Sequence, residues 1–190
     1  MPTPPATTSE ESQATGIGEF TGHSGTLLGH MLKRILVSGI KTGTALAVTT
    51  SLSIMASSKR DTGNGWNAVN AICHMVDGDD VSTPSGFRPR ESLLGLLLNA
   101  TAMTAWGVLY EGALAMTRSK SNPATAAGAS AAAYVIDYHI VPDRLKPGIE
   151  KEMAPSGLLM AYTAFALTLA LSPLWNSYDD TTQQPVHTES

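Results

Sequence analysis

The stretch Ser92–Thr117, SLLGLLLNATAMTAWGVLYEGALAMT, carries a single charge, Glu111, inside an otherwise apolar run. A hydrocarbon core ~30 Å thick needs about 20 helical residues, so this run reads as a membrane-spanning helix and its one acid as an anomaly to be explained. From here the rest of the chain can be placed. Three more apolar blocks have spanning length: Ile35–Ser57, Pro123–Val141 and Ala154–Trp175. The first lies between Lys33/Arg34 and Lys59/Arg60 and is the least hydrophobic, the third opens on Asn122-Pro123 as N-cap and first helical residue, and the fourth contains no charge. A soluble alanine-rich bundle is the competing reading, but the fourth run has no polar face to turn to water.

The expected fold is therefore all-α, an integral membrane bundle of four transmembrane helices with a short interfacial or re-entrant helix in the first loop. That helix is the mostly apolar run Trp66–Val76. Residues 33–176 form the membrane domain, between a disordered polar tail over 1–32 and a second polar tail over 177–190. Four crossings place both termini and residues 118–122 on one side, with Lys33, Arg34, Arg118 and Lys120. The other side carries Lys59, Arg60, Arg88, Arg90, Arg144, Lys146 and Lys151, and the excess of cations marks it as cytoplasmic. No cationic region followed by an apolar core opens the chain, so no cleavable signal is expected.

Composition excludes some chemistry. Over 190 residues the net charge is −4, without the dense basic face that phosphate recognition requires, so nucleic acid is set aside as a partner. The single cysteine, Cys73, allows no intrachain disulfide. No serine nucleophile elbow, phosphate-binding glycine loop or dinucleotide fingerprint is present, and no catalytic residue, metal or cofactor is expected.

Helices in lipid associate through small residues, and the chain offers three ridges at i+4 spacing. They are Gly39, Gly43, Ala47 and Ser51; Gly95, Asn99, Met103, Gly107 and Glu111; and Ala124, Gly128 and Ala132. The second ridge puts Glu111 on a protein-facing side. Lys41 and Glu111 lie at matching depths, each about 9 to 10 Å inside its span, which makes them a candidate intramembrane ion pair. Lys41 falls nearly opposite the Gly39/Gly43 ridge on a helical wheel, which opposes that pairing. A second candidate, a polar cluster at the cytoplasmic side, comprises Asn67, Asn70, His74, Asp137, His139 and Arg144, with Arg88, Arg90 and Arg144 available to neutralise Asp137. His74, His139 and Asp137 are the residue types that ligate metals or relay protons, but they lack the spacing of a ligand motif.

Three strings, NAICHMVDGDD at Asn70–Asp80, AWGVLYEG at Ala105–Gly112 and AAYVIDYHIVPDRLKPGIE at Ala132–Glu150, resemble a family of small uncharacterised bacterial multi-pass inner-membrane proteins. The resemblance covers about 35–175. It implies an inner-membrane location and draws attention to Asn70, His74, Trp106, Glu111, Asp137, Arg144 and Glu150, without implying an activity. Met75 and Val76 stand where the family pattern has a tryptophan after the histidine. The expected function is a non-enzymatic structural, accessory or partner-binding membrane component, in contact with the lipid bilayer and assembled as a homo-oligomer or within a larger membrane complex. The alternative is a small transporter or channel with Glu111 and Asp137 as ion or proton sites. A haem- or metal-bearing redox protein using His74 and His139 is the third.

Overall fold

The computed structural model describes the backbone of residues 11–78 and 84–176, with side chains from residue 28 onward. The described residues are all helical or connecting loop, with no strand. Helix α1 runs Glu11–Thr62, α4 Pro89–Thr117, α5 Pro123–Val135 and α6 Pro155–Ala170. Between α1 and α4 lie two short helices, α2 over Trp66–Ala71 and α3 over His74–Asp77. Helix α5 continues as a π-helical turn over Ile136–Ile140, closed by the Val141 N–H bonded to the Ile136 carbonyl at 3.0 Å.

Helix α1 begins well before the first apolar run, its backbone helical from Glu11, and no proline follows Pro5 on that approach. Residues 1–10 and 177–190 of the two expected tails lie outside the described residues. The entry to α5 matches its sequence signals. The Asn122 side chain accepts from Ala124 and Thr125 N–H, the Thr125 hydroxyl accepts from Asn122 N–H, and Pro123 occupies the first turn.

The four longer helices alternate in direction. Gly39 meets Val108 and Gly43 meets Thr104, which sets α1 antiparallel to α4. On its other flank α1 meets α6, also antiparallel, through the Thr49–Thr168 hydroxyl pair at 2.8 Å and the Gly157–Ser57 contact. Helix α5 then lies against α6, with the Ser130 hydroxyl donating to the Tyr162 carbonyl at 2.7 Å. Leu46, Met103, Tyr110, Leu114, Ala126, Ala133, Phe165 and Leu169 fill the space between the four.

Two of the expected small-residue ridges make this packing. A Cβ built on Gly39 would lie 2.6 Å from Val108 Cα, and one on Gly107 would lie 2.5 Å from Gly43 N, so only glycine lets these backbones come so close. The third ridge does not. Ala124, Gly128 and Ala132 are exposed, and α5 instead buries Ala126, Ser130 and Ala133. When nearly every residue of a helix is small, size cannot select a face, and the hydroxyl of Ser130 decides it by finding a backbone acceptor on α6.

The first loop folds onto the bundle as a second core. The expected single helix Trp66–Val76 breaks at Ile72–Cys73 into α2 and α3. Its apolar residues Ala68, Val69 and Ile72 are buried with Ile54, Ile149, Met153 and Ala161. Near this end, Asp61 accepts from the N–H of Ala154, the N-cap of α6, at 2.8 Å, while Arg60 bonds both Asp61 and the Ser156 hydroxyl. The last turn of α1 thus fixes the first turn of α6.

Two outcomes are expected for thermal unfolding in mild detergent. Gly43→Leu or Gly107→Leu forces α1 and α4 apart, with a loss of about 1–3 kcal/mol or more. Gly128→Ala, with open space at its Cβ, stays within about 1 kcal/mol of the parent protein. Equal losses at all three would contradict the packing. For pH, the hydrogen bond from Arg60 and then that from Ala154 hold the Asp61 carboxyl down at about 2. A depressed carboxyl stabilises the fold above its unfolded value of about 4 and loses that contribution as pH falls toward about 2. Over that window the melting temperature of the parent protein should fall further than that of Asp61→Asn.

Candidate functional site

Glu111 is 3% exposed, on the face of α4 that meets α1. Its Oε1 accepts from the Thr42 hydroxyl at 2.8 Å and from Asn176 Nδ2 at 3.0 Å. Thr42, fully buried one turn from Gly39, also accepts from Asn176 Nδ2 at 3.0 Å and from Trp175 Nε1 at 3.3 Å. One hydroxyl therefore uses its donor and both acceptor positions. The acid, the hydroxyl and the amide join α1, α4 and the segment after α6 at one buried point.

Lys41 takes no part. It is exposed on the outer side of α1, and no ion pair joins it to Glu111. The matched depths are real, but the azimuth decides. Lys41 is about 100° around the helix from Thr42, and Thr42 is the residue that the glycine contacts turn toward α4. Hydrogen-bond donors, rather than a lysine, offset the cost of burying this carboxylate. Asn176 Oδ1 is buried and has no hydrogen-bond partner among the described residues.

The second candidate cluster separates into three local arrangements. In the first loop, Asn70 is buried, donates to the carbonyls of Pro84 and Gly86 at 2.8 Å each, and accepts from the Ser92 hydroxyl at 2.8 Å. Asn67 accepts from the Ser85 hydroxyl and from Gly86 N–H. These two side chains close their own loop. His74 Nδ1 bonds the Ala71 carbonyl at 2.8 Å, and its ring occupies the space where a Cβ on Gly148 would stand. Gly148 also has φ +75°, so conformation and space both require glycine there. The segments Asn70–Asp80 and Ala132–Glu150 thus touch through His74 and Gly148.

Asp137 sits on the π-helical turn and accepts from the Tyr162 hydroxyl at 2.8 Å. Tyr138 donates in the same region to Glu150 at 3.3 Å. Tyr134, Tyr138 and Tyr162 pack ring against ring, with centroids 5.3 to 6.4 Å apart, and Phe165 and Trp106 extend the row inward. His139 lies outside this, exposed and edge-on to Tyr134. The arginines expected to neutralise Asp137 are elsewhere. Arg90 grips Asp77 with two bonds of 2.7 and 2.8 Å and so holds that carboxyl below its usual range, while Arg144 is exposed. Among the described residues the partner of Asp137 is thus a neutral hydroxyl, a hydrogen-bond donor in place of the expected counter-charge.

Little of this is arranged for bond-making. Among the described residues no three His, Cys, Asp or Glu side chains gather as a metal set. Cys73 is buried, burial pushes its thiol up, and Sγ donates to the Glu91 carbonyl at 2.9 Å. Such a thiol is a packing group rather than a nucleophile. Sequence reasoning missed Thr42, Asn176 and Tyr162. Thr42 is hidden in a run rich in serine and threonine, Asn176 falls just beyond the last apolar residue, and Tyr162 counts toward hydrophobicity despite its polar tip.

The Glu111 node should behave as one unit. Thr42→Val and Glu111→Ala each leave buried donors or acceptors without partners, at about 1–3 kcal/mol. The double variant should cost clearly less than the sum, read by thermal unfolding. Strict additivity would show that the node is not coupled.

No known protein family, curated protein or solved structure matches the chain.

Proposed function

We propose that the chain is an integral membrane protein, a non-enzymatic structural, accessory or partner-binding component built on four antiparallel membrane-embedded helices. The observation that carries this is the apolar outer surface, set against an interior that holds polar side chains as well as its apolar cores. Thr42, Thr50, Ser92, Glu111, Ser130, Thr168 and Asn176 are buried, while Leu52, Leu97 and Leu159 are 63%, 63% and 71% exposed. Large apolar faces are costly against water and ordinary against lipid.

Two helices, α1 over Leu28–Thr62 and α4, are long and apolar enough to cross a membrane, with only 28% and 22% of their most apolar stretches buried. A core helix of a soluble protein would be mostly buried. Helix α5 with its π-helical turn over Pro123–Ile140, and α6 with the 3-10 turn to Leu174, are shorter than α1 and α4, but at about 1.5 Å per residue each comes close to the ~30 Å of a hydrocarbon core, which favours four crossings over two. The outward threonines are consistent with this. Thr44, Thr101 and Thr163 each donate to the carbonyl four residues earlier on their own helix, so they offer no hydroxyl proton to the surroundings.

Cation counting favours a cytoplasmic side at the loops around α2–α3 and residues 142–153, with the termini outside, and the resemblance favours a bacterial inner membrane. A scaffold or accessory role follows from the polar groups: those in the interior bond one another across helices and hold the bundle together. The charged connections left outside are the surface for a partner or a second copy. The second reading, a small transporter, rests on the buried Glu111 beside the unpartnered Asn176 Oδ1.

Two measurements separate these readings. The protein should remain with membranes through an alkaline carbonate wash, and release into the wash would sink the membrane reading. Purified gently from its native membrane, it should carry a stoichiometric protein partner or a second copy. A solitary chain whose reconstituted vesicles show a proton or ion flux abolished by Glu111→Gln or Asp137→Asn would replace the accessory reading with the transporter.

A further inference from the structure

On the outer face of the α1–α6 pair lies an apolar groove of about 650 Å³, lined by Lys41, Thr44, Val48, Thr168, Leu171 and Trp175 among others. Because α1 and α6 are antiparallel, Lys41 and Trp175 share one end of it, and Val48 lies with the Thr49–Thr168 hydroxyl pair toward the other. Arg34 is seven residues before Lys41, hence on the same stripe of α1 about 10 Å further out. Both cations are exposed, and neither forms an ion pair among the described residues.

We infer that this groove is a binding site for one anionic phospholipid, its phosphate held between Arg34 and Lys41 and one acyl chain lying along Val48, Thr168 and Leu171 toward the bilayer centre. The inference rests on the membrane reading proposed above and names a ligand for a surface that reading leaves open. Three features carry it together. Beyond Lys41 the lining is apolar in character, and Thr44 turns its hydroxyl to the Ile40 carbonyl at 2.8 Å, which leaves Lys41 as the one exposed polar group on the α1 wall with a donor to offer. A tryptophan, the residue suited to headgroup depth, stands at the charged end, anchored by its Nε1 on Thr42. The two cations lie on the headgroup side of the groove, so charge and hydrophobicity are segregated along its axis as they are along a lipid.

Lys41 is thereby accounted for. A lysine some 9 Å inside the first apolar run, turned away from the acid at its own depth, extends its ammonium along the helix toward the headgroups, where the proposed phosphate would meet it. The volume falls within the range of small-molecule sites, and the open side matches a ligand that remains partly in the bilayer.

The experiment uses the full chain in mild detergent, equilibrated with mixed vesicles of phosphatidylglycerol and phosphatidylcholine in equal amounts, and counts retained lipids by native mass spectrometry. One phosphatidylglycerol should be kept in preference to phosphatidylcholine. Lys41→Gln and Arg34→Gln should each lower that preference about fivefold. Val48→Trp, at an exposed position that the fold does not depend on, should fill the groove and abolish retention while helicity by circular dichroism stays unchanged. Equal retention of the two lipids, or a preference indifferent to Lys41→Gln, overturns the site. So does retention that appears only after residues 177–190 are removed, which would assign the groove to the chain's own tail. Each variant is also tested for resistance to carbonate. A protein that resists it but keeps no anionic lipid loses only this site, whereas one that washes off loses the membrane reading as well.

Discussion

Helices α1 and α4 approach so closely that their backbones touch, and most other features of the molecule follow from that contact. Gly39 and Gly43 on one side and Gly107 on the other leave no room for a β-carbon. Once these positions meet, the azimuth of both helices is set. Thr42 must face Glu111, Asn99 must reach Ser51, whose hydroxyl accepts from it at 2.9 Å, and Lys41 must point away. In a membrane there is no hydrophobic drive to bring helices together, so contact area gained by close approach and hydrogen bonds made across it have to supply the association. This interface has both, with the polar contacts spaced along the glycine ridge.

The polar groups of the interior divide the work by location. At the level of Glu111 they gather three segments, α1, α4 and the end of α6, around one carboxylate oxygen. Near the middle, Thr49 and Thr168 pair α1 with α6. At the far end, Asn70, Ser92 and Asp61 shape the loop lobe and fix the start of α6. Each of these bonds crosses between segments distant in sequence. Removing one of the buried partners leaves a polar atom in an apolar surrounding, so the cost of such a substitution is set by what its partner loses, whereas the Asp61 contact is exposed.

How much of this was legible depends on whether the signal is one-dimensional. The helical blocks, the start of α5 at Asn122-Pro123 and the buried ridge through Gly95, Gly107 and Glu111 are properties of order and spacing along the chain, and the described helices follow them. For the Lys41–Glu111 pair the sequence carries two opposed signals, matching depth for it and the angle about the helix axis against it, and the angle decides. The face of α5 was unreadable for a different reason. Its residues are nearly all small, so a wheel drawn from size has no preferred side, and Ser130 and the aromatic row around Tyr162 choose one only when α6 is present. The partner of Asp137 was missed because a tyrosine enters a hydropathy reading as an apolar residue. Of the function, order and spacing carry no more than two helices long and apolar enough to cross a membrane, whereas a partner leaves no mark on spacing.

The threonines of α1 bear on how such chains are recognised. Thr44, Thr49 and Thr50 each return their proton to a carbonyl one turn back, so in the folded helix their hydroxyls are already satisfied. A hydropathy index charges each of them as though it still sought water. The first apolar run therefore scores as the weakest of the four, although apart from Lys41 its outward side chains present little more than hydrocarbon to their surroundings. Segments of this kind, rich in β-hydroxyl residues at intervals of three and four, are scored as more polar than they are by any scale that weighs residues singly.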